Sequence, residues 1–135
     1  MLGRQAPLAL DKSMSILIVD DYRTMLRILR ALLRQLEFDN VEEATDGTSA
    51  LEKLEAGTYD LIISDWHMEP MGGLELLKKV RANPRLQRTP FIMVTAENQT
   101  ESVIAAKQAG VSNYIVKPLN APTLRDRIEK ALAHG

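Results

Sequence analysis

Five short apolar runs recur along the chain, and segments with helical periodicity separate them. Most of the runs are continuous and lack the alternation of apolar and polar residues that marks a strand with one solvent face. Such runs are typical of parallel strands that helices cover on both faces. The predicted strands are Ile16–Val19, Val41–Ala44, Leu61–Ser64, Phe91–Thr95 and Asn113–Val116.

The segments between these runs predict amphipathic helices. In the first segment, apolar residues recur at three- and four-residue steps and form one face: Met25, Leu26, Leu29, Leu32, Leu33 and Leu36. The other predicted helices cover residues 47–56, 74–81, 101–109 and 123–133. Gly57 and Gly110 each follow a predicted helix, at the position where a left-handed glycine commonly ends one.

The regular alternation of strand and helix predicts an α/β fold built from five βα units. Right-handed crossovers between parallel strands place helices on both faces of the sheet. We therefore expect a doubly wound, flavodoxin-like (βα)5 domain with strand order 2-1-3-4-5. Residues 1–13 carry no such pattern and are predicted to be a flexible N-terminal arm, and residues 14–135 are predicted to form the single domain. The last predicted helix reaches the end of the sequence, so we expect no output domain after it.

The composition excludes several classes of function. The 135 residues include 17 basic and 18 acidic residues, for a net charge of −1, which does not indicate binding to nucleic acid. There is no cysteine, which excludes disulfides and zinc–thiolate sites. The apolar runs are too short to span a membrane, and the N-terminus lacks the apolar core of a signal peptide. We therefore expect a cytoplasmic protein without a membrane or nucleic-acid partner.

Polar residues end or directly follow four of the predicted strands. They are Asp20 and Asp21, Asp65, Thr95 and Lys117. Ligands of an open parallel sheet bind beyond the carboxyl ends of its strands, and the predicted order makes strands one and three neighbours. Three carboxylates placed together repel one another unless a hard cation joins them, and Mg²⁺ is commonly held by a few carboxylates together with substrate phosphates. The sequence thus predicts a site for magnesium and phosphate.

These residue types suggest separate roles at such a site. Asp65 stands alone on the central strand and is predicted to be a nucleophile that attacks phosphorus and forms an acyl phosphate. Thr95 could donate a hydrogen bond to a phosphoryl oxygen, and Lys117 could supply a positive charge to another. Taken singly, Asp20 or Asp21 could instead cap the first helix. To exclude a functional site, a separate structural explanation would have to hold for each of these residues together, at the same edge of the sheet.

At these positions the chain resembles the receiver domains of bacterial two-component signalling. The family pattern is an acidic pair after strand one, a phosphorylated Asp after strand three, Ser or Thr after strand four and Lys-Pro after strand five. The resemblance covers residues 14–133. The chain resembles chemotaxis regulators of the CheY type more closely than it resembles receivers in general. This closer resemblance rests on the segments Ser64-Asp65-Trp66, Gly73-Leu74-Glu75-Leu76-Leu77 and Met93-Val94-Thr95-Ala96-Glu97.

The resemblance implies a mechanism and a set of partners. A histidine kinase of the chemotaxis type would phosphorylate Asp65, with Mg²⁺ held by Asp20, Asp21, Asp65 and the backbone carbonyl of His67. The protein would be a phosphoacceptor that assists its own phosphorylation and dephosphorylation, and not an enzyme in the usual sense. The implied output partner is a flagellar motor switch protein, with a phosphatase as a further partner. We expect a monomer.

The resemblance also implies a switch. Thr95 and Tyr114 would change conformation together when Asp65 is phosphorylated. The implied partner-binding residues are Asn98, Val103, Tyr114, Val116 and Arg127. The peptide before this proline is cis in the family, so the resemblance also implies a cis Lys117–Pro118 peptide.

The chain departs from the family in the loop from Met68 to Gly73. Receivers usually have proline directly after this methionine and aspartate directly before this glycine. Here Glu69 precedes Pro70, and Gly72 replaces the aspartate. We expect a different loop shape, a weaker cap for the third helix and an added carboxylate near the pocket.

Two side chains beside Asp65 are expected to have no part in the chemistry. Trp66 is expected to form a wall of the site and to serve as a fluorescent reporter. The side chain of His67 is expected to face solvent.

Three alternatives to a motor regulator remain open at this stage. One is a phosphate sink that competes for the chemotaxis kinase. Another is a metal-dependent phosphohydrolase, although such enzymes usually have a second Asp where His67 stands here. The third is an adaptor whose phosphorylation site has been lost. The complete set of site residues argues against this third alternative.

Overall fold

The computed structural model describes residues 11–134, in which five strands and five helices alternate. The elements are β1 (Ile16–Val19), α1 (Arg23–Gln35), β2 (Val41–Ala44), α2 (Gly47–Ala56), β3 (Leu61–Ser64), α3 (Gly73–Ala82), β4 (Phe91–Thr95), α4 (Thr100–Gln108), β5 (Asn113–Val116) and α5 (Ala121–His134). All five strands have the predicted bounds. Helix α2 also has its predicted bounds, and the other helices differ from prediction by one or two residues at their ends, which is the usual uncertainty of helix boundaries.

The sheet confirms the predicted topology. Its order is β2-β1-β3-β4-β5, and every neighbouring pair is parallel. Side chains along β1 alternate between two cores, because successive residues of a strand point to opposite faces. Ile16 and Ile18 belong to the core under α1 and α5, and Leu17 and Val19 belong to the core under α2 and α3. Burial on both faces explains why this strand is continuously apolar.

The two predicted glycine caps have different outcomes. Gly110 has a φ of 94°, which confirms a left-handed residue after α4. Gly57 is extended, with φ −134° and ψ −169°, so the prediction of a left-handed cap there was wrong. The physical reason lies in Arg85, whose guanidinium donates to the carbonyls of Leu54 and Gly57 at 2.7 and 3.3 Å. These bonds satisfy carbonyls at the end of α2 that would otherwise need the hydrogen bonds of a left-handed turn.

Neither aspartate of the acidic pair caps α1. The N-cap residue is Tyr22, and no side chain makes the capping hydrogen bond. Asp20 instead accepts a hydrogen bond from the backbone amide of Tyr22 at 2.9 Å, just before the helix starts. Its second carboxylate oxygen remains available to the site.

Residues 1–10 of the predicted N-terminal arm lie outside the described part of the chain. The end of that arm contacts the domain. Lys12 donates to the carbonyl of Leu36 at 2.7 Å, and its ammonium lies 4.8 Å from the ring centroid of Phe38. A cation at this position stabilises the C-terminus of α1. In residues 11–134, no helix combines the length and apolar character needed to cross a membrane.

Candidate functional site: an acidic cluster at the carboxyl edge of the sheet

Three carboxylates meet where β1 and β3 end. Asp20, Asp21 and Asp65 each offer an oxygen, and these oxygens all lie within 4.8 Å of one another. The backbone amide of Asp65 donates to the carbonyl of Val19 at 2.9 Å, so the β1–β3 pairing extends past the last strand residues and sets Asp65 beside the acidic pair. Asp20 is buried, Asp65 is partly buried and Asp21 is exposed. The cluster is therefore open to solvent on the side of Asp21.

The donor set fits a hard divalent cation. All three side chains are oxygen ligands, and an exposed edge leaves room for the waters that Mg²⁺ retains. Burial raises the pKa of Asp20, and the neighbouring charge of Asp65 acts in the same direction. The hydrogen bond from the Tyr22 amide and the charge of Lys117 oppose this rise in pKa. A cation at the cluster would relieve the repulsion that disfavours the ionised carboxylates.

Lys117 supplies the positive charge of the site. Its ammonium lies 3.5 Å from the Oδ2 atom of Asp20 and 4.0 Å from the Oδ1 atom of Asp65. The backbone amide of Lys117 donates to the carbonyl of Thr95 at 2.8 Å, which continues the β4–β5 pairing to this edge. The Lys117–Pro118 peptide is cis, as expected. Lys117 is therefore placed to contact a group bound to Asp65.

Thr95 ends β4 at the same edge and is 1% exposed. Its hydroxyl accepts a hydrogen bond from the backbone amide of Glu97 at 3.2 Å. The hydroxyl thus contacts the start of the β4–α4 loop.

Glu97 joins three parts of the structure that sequence analysis did not connect. Its Oε1 atom lies 2.8 Å from His67 Nε2, and its Oε2 atom accepts from the Ser102 hydroxyl at 3.1 Å. Its backbone carbonyl accepts from the Tyr114 hydroxyl at 2.8 Å. The hydrogen bond with His67 is the main reason that the pKa of Glu97 is lowered. No periodicity or local motif marks this role, because the partners lie up to 30 residues away in the chain.

The aromatic side chains beside the site pack together. The ring centroids of Trp66 and Tyr114 are 6.4 Å apart with an interplanar angle of 57°. Burial raises the pKa of the Tyr114 hydroxyl, and the charges of Glu97 and Asp65 contribute further. The backbone amide of Trp66 donates to Asp65 Oδ1 at 2.7 Å. As predicted, the side chain of His67 is exposed, although its ring also contacts Glu97.

Comparison with known proteins agrees with this geometry. Residues 16–129 match the family described as "Response regulator receiver domain". The chain belongs to the response regulator receiver family. The receiver is 50% identical over 121 residues to the chemotaxis protein CheY-3 of Vibrio cholerae, covering 90% of this chain and 93% of that protein. It is 51% identical over 117 residues to the chemotaxis protein CheY of Pseudomonas aeruginosa, covering 87% and 94%.

Solved structures show the same fold. The chemotaxis protein CheY4 of V. cholerae, 33% identical, aligns with a TM-score of 0.82 over 89% of this receiver and 99% of that chain. The receiver domain of the sensor histidine kinase PA1611 from P. aeruginosa, 26% identical, aligns with a TM-score of 0.81 over 90% and 98%. The PA1611 structure has a magnesium ion coordinated in its active-site cleft. The present chain is therefore a CheY-like receiver with an acidic cluster consistent with magnesium binding.

The loop from Met68 to Gly73, in which this receiver departs from the family, packs against the backbone of Trp66. Glu69 is exposed and is not part of the three-aspartate cluster. The Glu69–Pro70 peptide is cis. Gly72 is the N-cap of α3, and no side chain caps this helix. A Cβ atom on Gly72 would lie 2.8 Å from the carbonyl oxygen of Trp66, so the aspartate that is usual in the family would not fit here without a shift.

Four of the five sequence-predicted partner residues line one groove. Val103, Tyr114, Val116 and Arg127 line a groove between α4, β5 and α5. Lys107 also lines the groove and makes it basic. Asn98 is exposed on the β4–α4 loop and is not among the residues that line the groove.

Replacing Gly73 by Ala is expected to damage the site and the fold together. A Cβ atom here would collide with the backbone carbonyl of Asp65, which cannot rotate away as a flexible side chain would. We expect the free energy of unfolding to fall by about 1–3 kcal/mol, the usual cost of overpacking. Chemical denaturation would measure this loss.

Gly57→Ala is the matched control for this substitution. The nearest atoms to its added Cβ lie 3.5 Å away, an ordinary contact, and its backbone is extended. A Gly73→Ala protein as stable as the Gly57→Ala protein would contradict the close approach seen at Asp65.

Proposed function

We propose that this receiver is a cytoplasmic response regulator of chemotaxis that accepts a phosphoryl group on Asp65. The proposal rests on one observation above all: the Asp65 carboxylate lies in a cluster with Asp20 and Asp21, with the Lys117 ammonium 4.0 Å from its Oδ1 atom. The high identity to CheY proteins over most of the chain supports the chemotaxis role and a histidine kinase of the chemotaxis type as phosphodonor.

The reaction is a phosphoryl transfer to a carboxylate. The Asp65 oxygen that does not accept from the Trp66 amide attacks phosphorus. The new O–P bond forms as the bond from phosphorus to the histidine nitrogen breaks, and the imidazole, which carries a proton on its other ring nitrogen, leaves as the neutral ring. Mg²⁺, held by Asp20, Asp21, Asp65 and the backbone carbonyl of His67, would neutralise charge on the transferring group. Lys117 binds a second phosphoryl oxygen through its ammonium.

Phosphorylation is expected to bias a two-state equilibrium. The Thr95 hydroxyl turns toward the phosphoryl group and gives up the hydrogen bond that it accepts from the Glu97 amide. Because the same residue, Glu97, holds the Tyr114 hydroxyl, the β4–α4 loop and Tyr114 change together. The groove formed by Val103, Tyr114, Val116 and Arg127 then presents a different surface. We propose that the receiver is a monomer and that a flagellar motor switch protein binds this surface. A phosphatase is proposed to end the signal.

Intact-mass spectrometry tests the phosphoacceptor assignment. Incubation of the protein with Mg²⁺ and acetyl phosphate is expected to add one phosphoryl group. The adduct should be removed by hydroxylamine, as an acyl phosphate is, and should not form when EDTA is present. An unmodified mass under all of these conditions would refute the proposal and favour an adaptor without phosphorylation.

A second experiment separates a motor regulator from a phosphate sink. A peptide from a motor switch protein is titrated against the receiver with and without a phosphoryl mimic at the site. A motor regulator is expected to bind the peptide more tightly with the mimic, because the peptide recognises the activated groove. Equal and negligible binding in both states would favour the sink.

A further inference from the structure

A groove lies between the end of α1 and the first part of α5. Its volume is about 510 Å³, within the roughly 300–1,000 Å³ of ligand pockets, so it has room for several side chains. Apolar and charged side chains share its lining, and they include Leu36, Ala121, Pro122, Arg125, Asp126 and Glu129. We call it the α1–α5 groove. It shares no lining residue with the acidic cluster or with the groove between α4, β5 and α5.

The α1–α5 groove is elongated along the two helices. All strand pairs are parallel, so the helix after each strand runs back from the carboxyl edge of the sheet to the amino edge, where the strands begin. Leu36 therefore lies near the amino edge, and Ala121 lies near the carboxyl edge. The stretch of α5 from Ala121 to Glu129 is about 12 Å long. Such a groove suits an extended segment that enters from the amino edge.

The N-terminal arm of this chain reaches the groove at that edge. Lys12 donates to the carbonyl of Leu36 at 2.7 Å, and Leu36 is a lining residue of the groove. The described part of the chain starts one residue earlier, at Asp11. Residues 1–10 therefore connect to the domain beside the amino-edge end of the groove. Ten extended residues span at most about 36 Å, which is more than the α5 side of the groove requires.

The sequence of residues 1–10 is unlike that of a solvated tail. Segments that remain in solvent have few large apolar residues and many charged ones. Here three leucines accompany a single charged residue, Arg4. Leu2, Leu8 and Leu10 all occupy even positions, as Arg4 does. Successive side chains of an extended segment point to opposite sides, so these four would share one side of it.

The charges of the groove complement those of residues 1–10. The groove has two carboxylates, Asp126 and Glu129, and one guanidinium, Arg125. Asp126 lies 3.2 Å from the Lys130 ammonium, whereas Glu129 is half-buried and forms no ion pair with another residue of the described range 11–134. Residues 1–10 contain a cation and no acid. Complementary charges of this kind favour one orientation of a docked segment.

We propose that residues 1–10 of this chain dock in the α1–α5 groove as an extended segment. Leu8 and Leu10 would contact the apolar lining around Leu36, and Arg4 would face the carboxylates of α5. Docking would be intramolecular, because Leu10 directly precedes the part of the arm that Lys12 fixes to the domain. The effective concentration of a segment on so short a tether is of millimolar order, so a weak contact is enough to hold it.

Paramagnetic broadening in NMR spectra of the full chain tests the proposal. The chain has no cysteine, so a nitroxide attached to a Gln5→Cys variant labels one position, on the side of the segment away from the leucines. We expect the label to broaden the backbone amide signals of Leu36, Arg125 and Glu129. The amides of Glu55 and Lys79 serve as internal references, because α2 and α3 cover the other face of the sheet. Absence of broadening at the groove, or equal broadening over the whole surface, would overturn the proposal.

Two further variants of the labelled protein show whether the leucines hold the segment. Leu8→Ser/Leu10→Ser is expected to lose the broadening at the groove. The control Gly3→Ser/Ala9→Ser changes two residues on the opposite side of the segment and should keep it. Equal broadening in these two variants would contradict docking through the leucines.

A mixed sample separates docking within one chain from docking between two copies. Isotope-labelled receiver without a nitroxide is mixed with spin-labelled receiver that carries no isotope. We expect no broadening at the groove in this mixture. Broadening of the same strength as in the single-chain experiment would assign the groove to the arm of a second copy and overturn the proposal.

Discussion

Replacing Asp65 by Asn is expected to abolish the phosphoryl adduct completely. Asparagine keeps the size of the side chain and an Oδ1 atom that can accept from the Trp66 amide, so the local structure should persist. Its neutral amide is not a nucleophile toward phosphorus, so no acyl phosphate can form. The measurement is intact mass after incubation with Mg²⁺ and acetyl phosphate, with adduct in the parent and none in the variant.

Asp39→Asn is the control for this substitution. Asp39 is an exposed aspartate outside the cluster, so its replacement changes the charge equally and should leave the adduct unchanged. An adduct of parental yield on the Asp65→Asn protein would assign the reaction to another residue. Asp21, the exposed member of the cluster, would then be the first residue to test.

Replacing Asp20 by Asn is expected to weaken Mg²⁺ binding strongly and yet to stabilise the metal-free protein. Loss of a direct carboxylate ligand should reduce affinity by more than the roughly 10–100-fold that is typical when an outer-shell partner is lost. Quenching of Trp66 fluorescence by Mg²⁺ is the measurement, because Trp66 lies beside the cluster. A variant with parental Mg²⁺ affinity would remove Asp20 from the metal site.

The effect on stability follows from the raised pKa of Asp20. Burial raises this pKa above its ordinary value of 3.8. A raised pKa in the folded state means that the protonated form favours folding below the unfolded-state pKa. This contribution is lost as the pH rises through the folded-state pKa. At neutral pH the ionised side chain therefore opposes folding, and the uncharged asparagine removes that opposition.

Thermal unfolding in EDTA checks the sign. We expect Asp20→Asn to unfold at a higher temperature than the parent at neutral pH, with the difference shrinking as the pH falls toward 3.8. Asp21→Asn is the matched control, because Asp21 belongs to the same cluster but is exposed and already hydrated. It should lose Mg²⁺ affinity with little change in unfolding temperature. A lower unfolding temperature for Asp20→Asn would mean that its hydrogen bond and its contact with Lys117 outweigh the cost of burying the charge.

These two predictions concern a site that the sequence located almost entirely. Continuous apolar runs placed all five strands, because burial on both faces leaves an unbroken signal. The flavodoxin-like strand order then brings Asp20 and Asp65 together, because β1 and β3 pair. The charged residues of the site could thus be predicted from the positions that directly follow each strand.

The loops were decided by tertiary packing. Gly57 needed no left-handed turn because Arg85, 28 residues away, donates to its carbonyl. Gly73 must be small because the backbone of Asp65 passes beside it. The sequence around each glycine is compatible with several backbone conformations, and only a distant neighbour selects one.

The sequence by itself determined the sheet, the acidic cluster and the lysine that faces it, since each depends on local burial patterns and on where a strand ends. Only the tertiary structure decided that His67, Ser102 and Tyr114 converge on Glu97. It also paired Arg30 of α1 with Glu43 of the edge strand β2. Contacts of this kind join residues far apart in the chain, and their geometry depends on how whole strands and loops pack together.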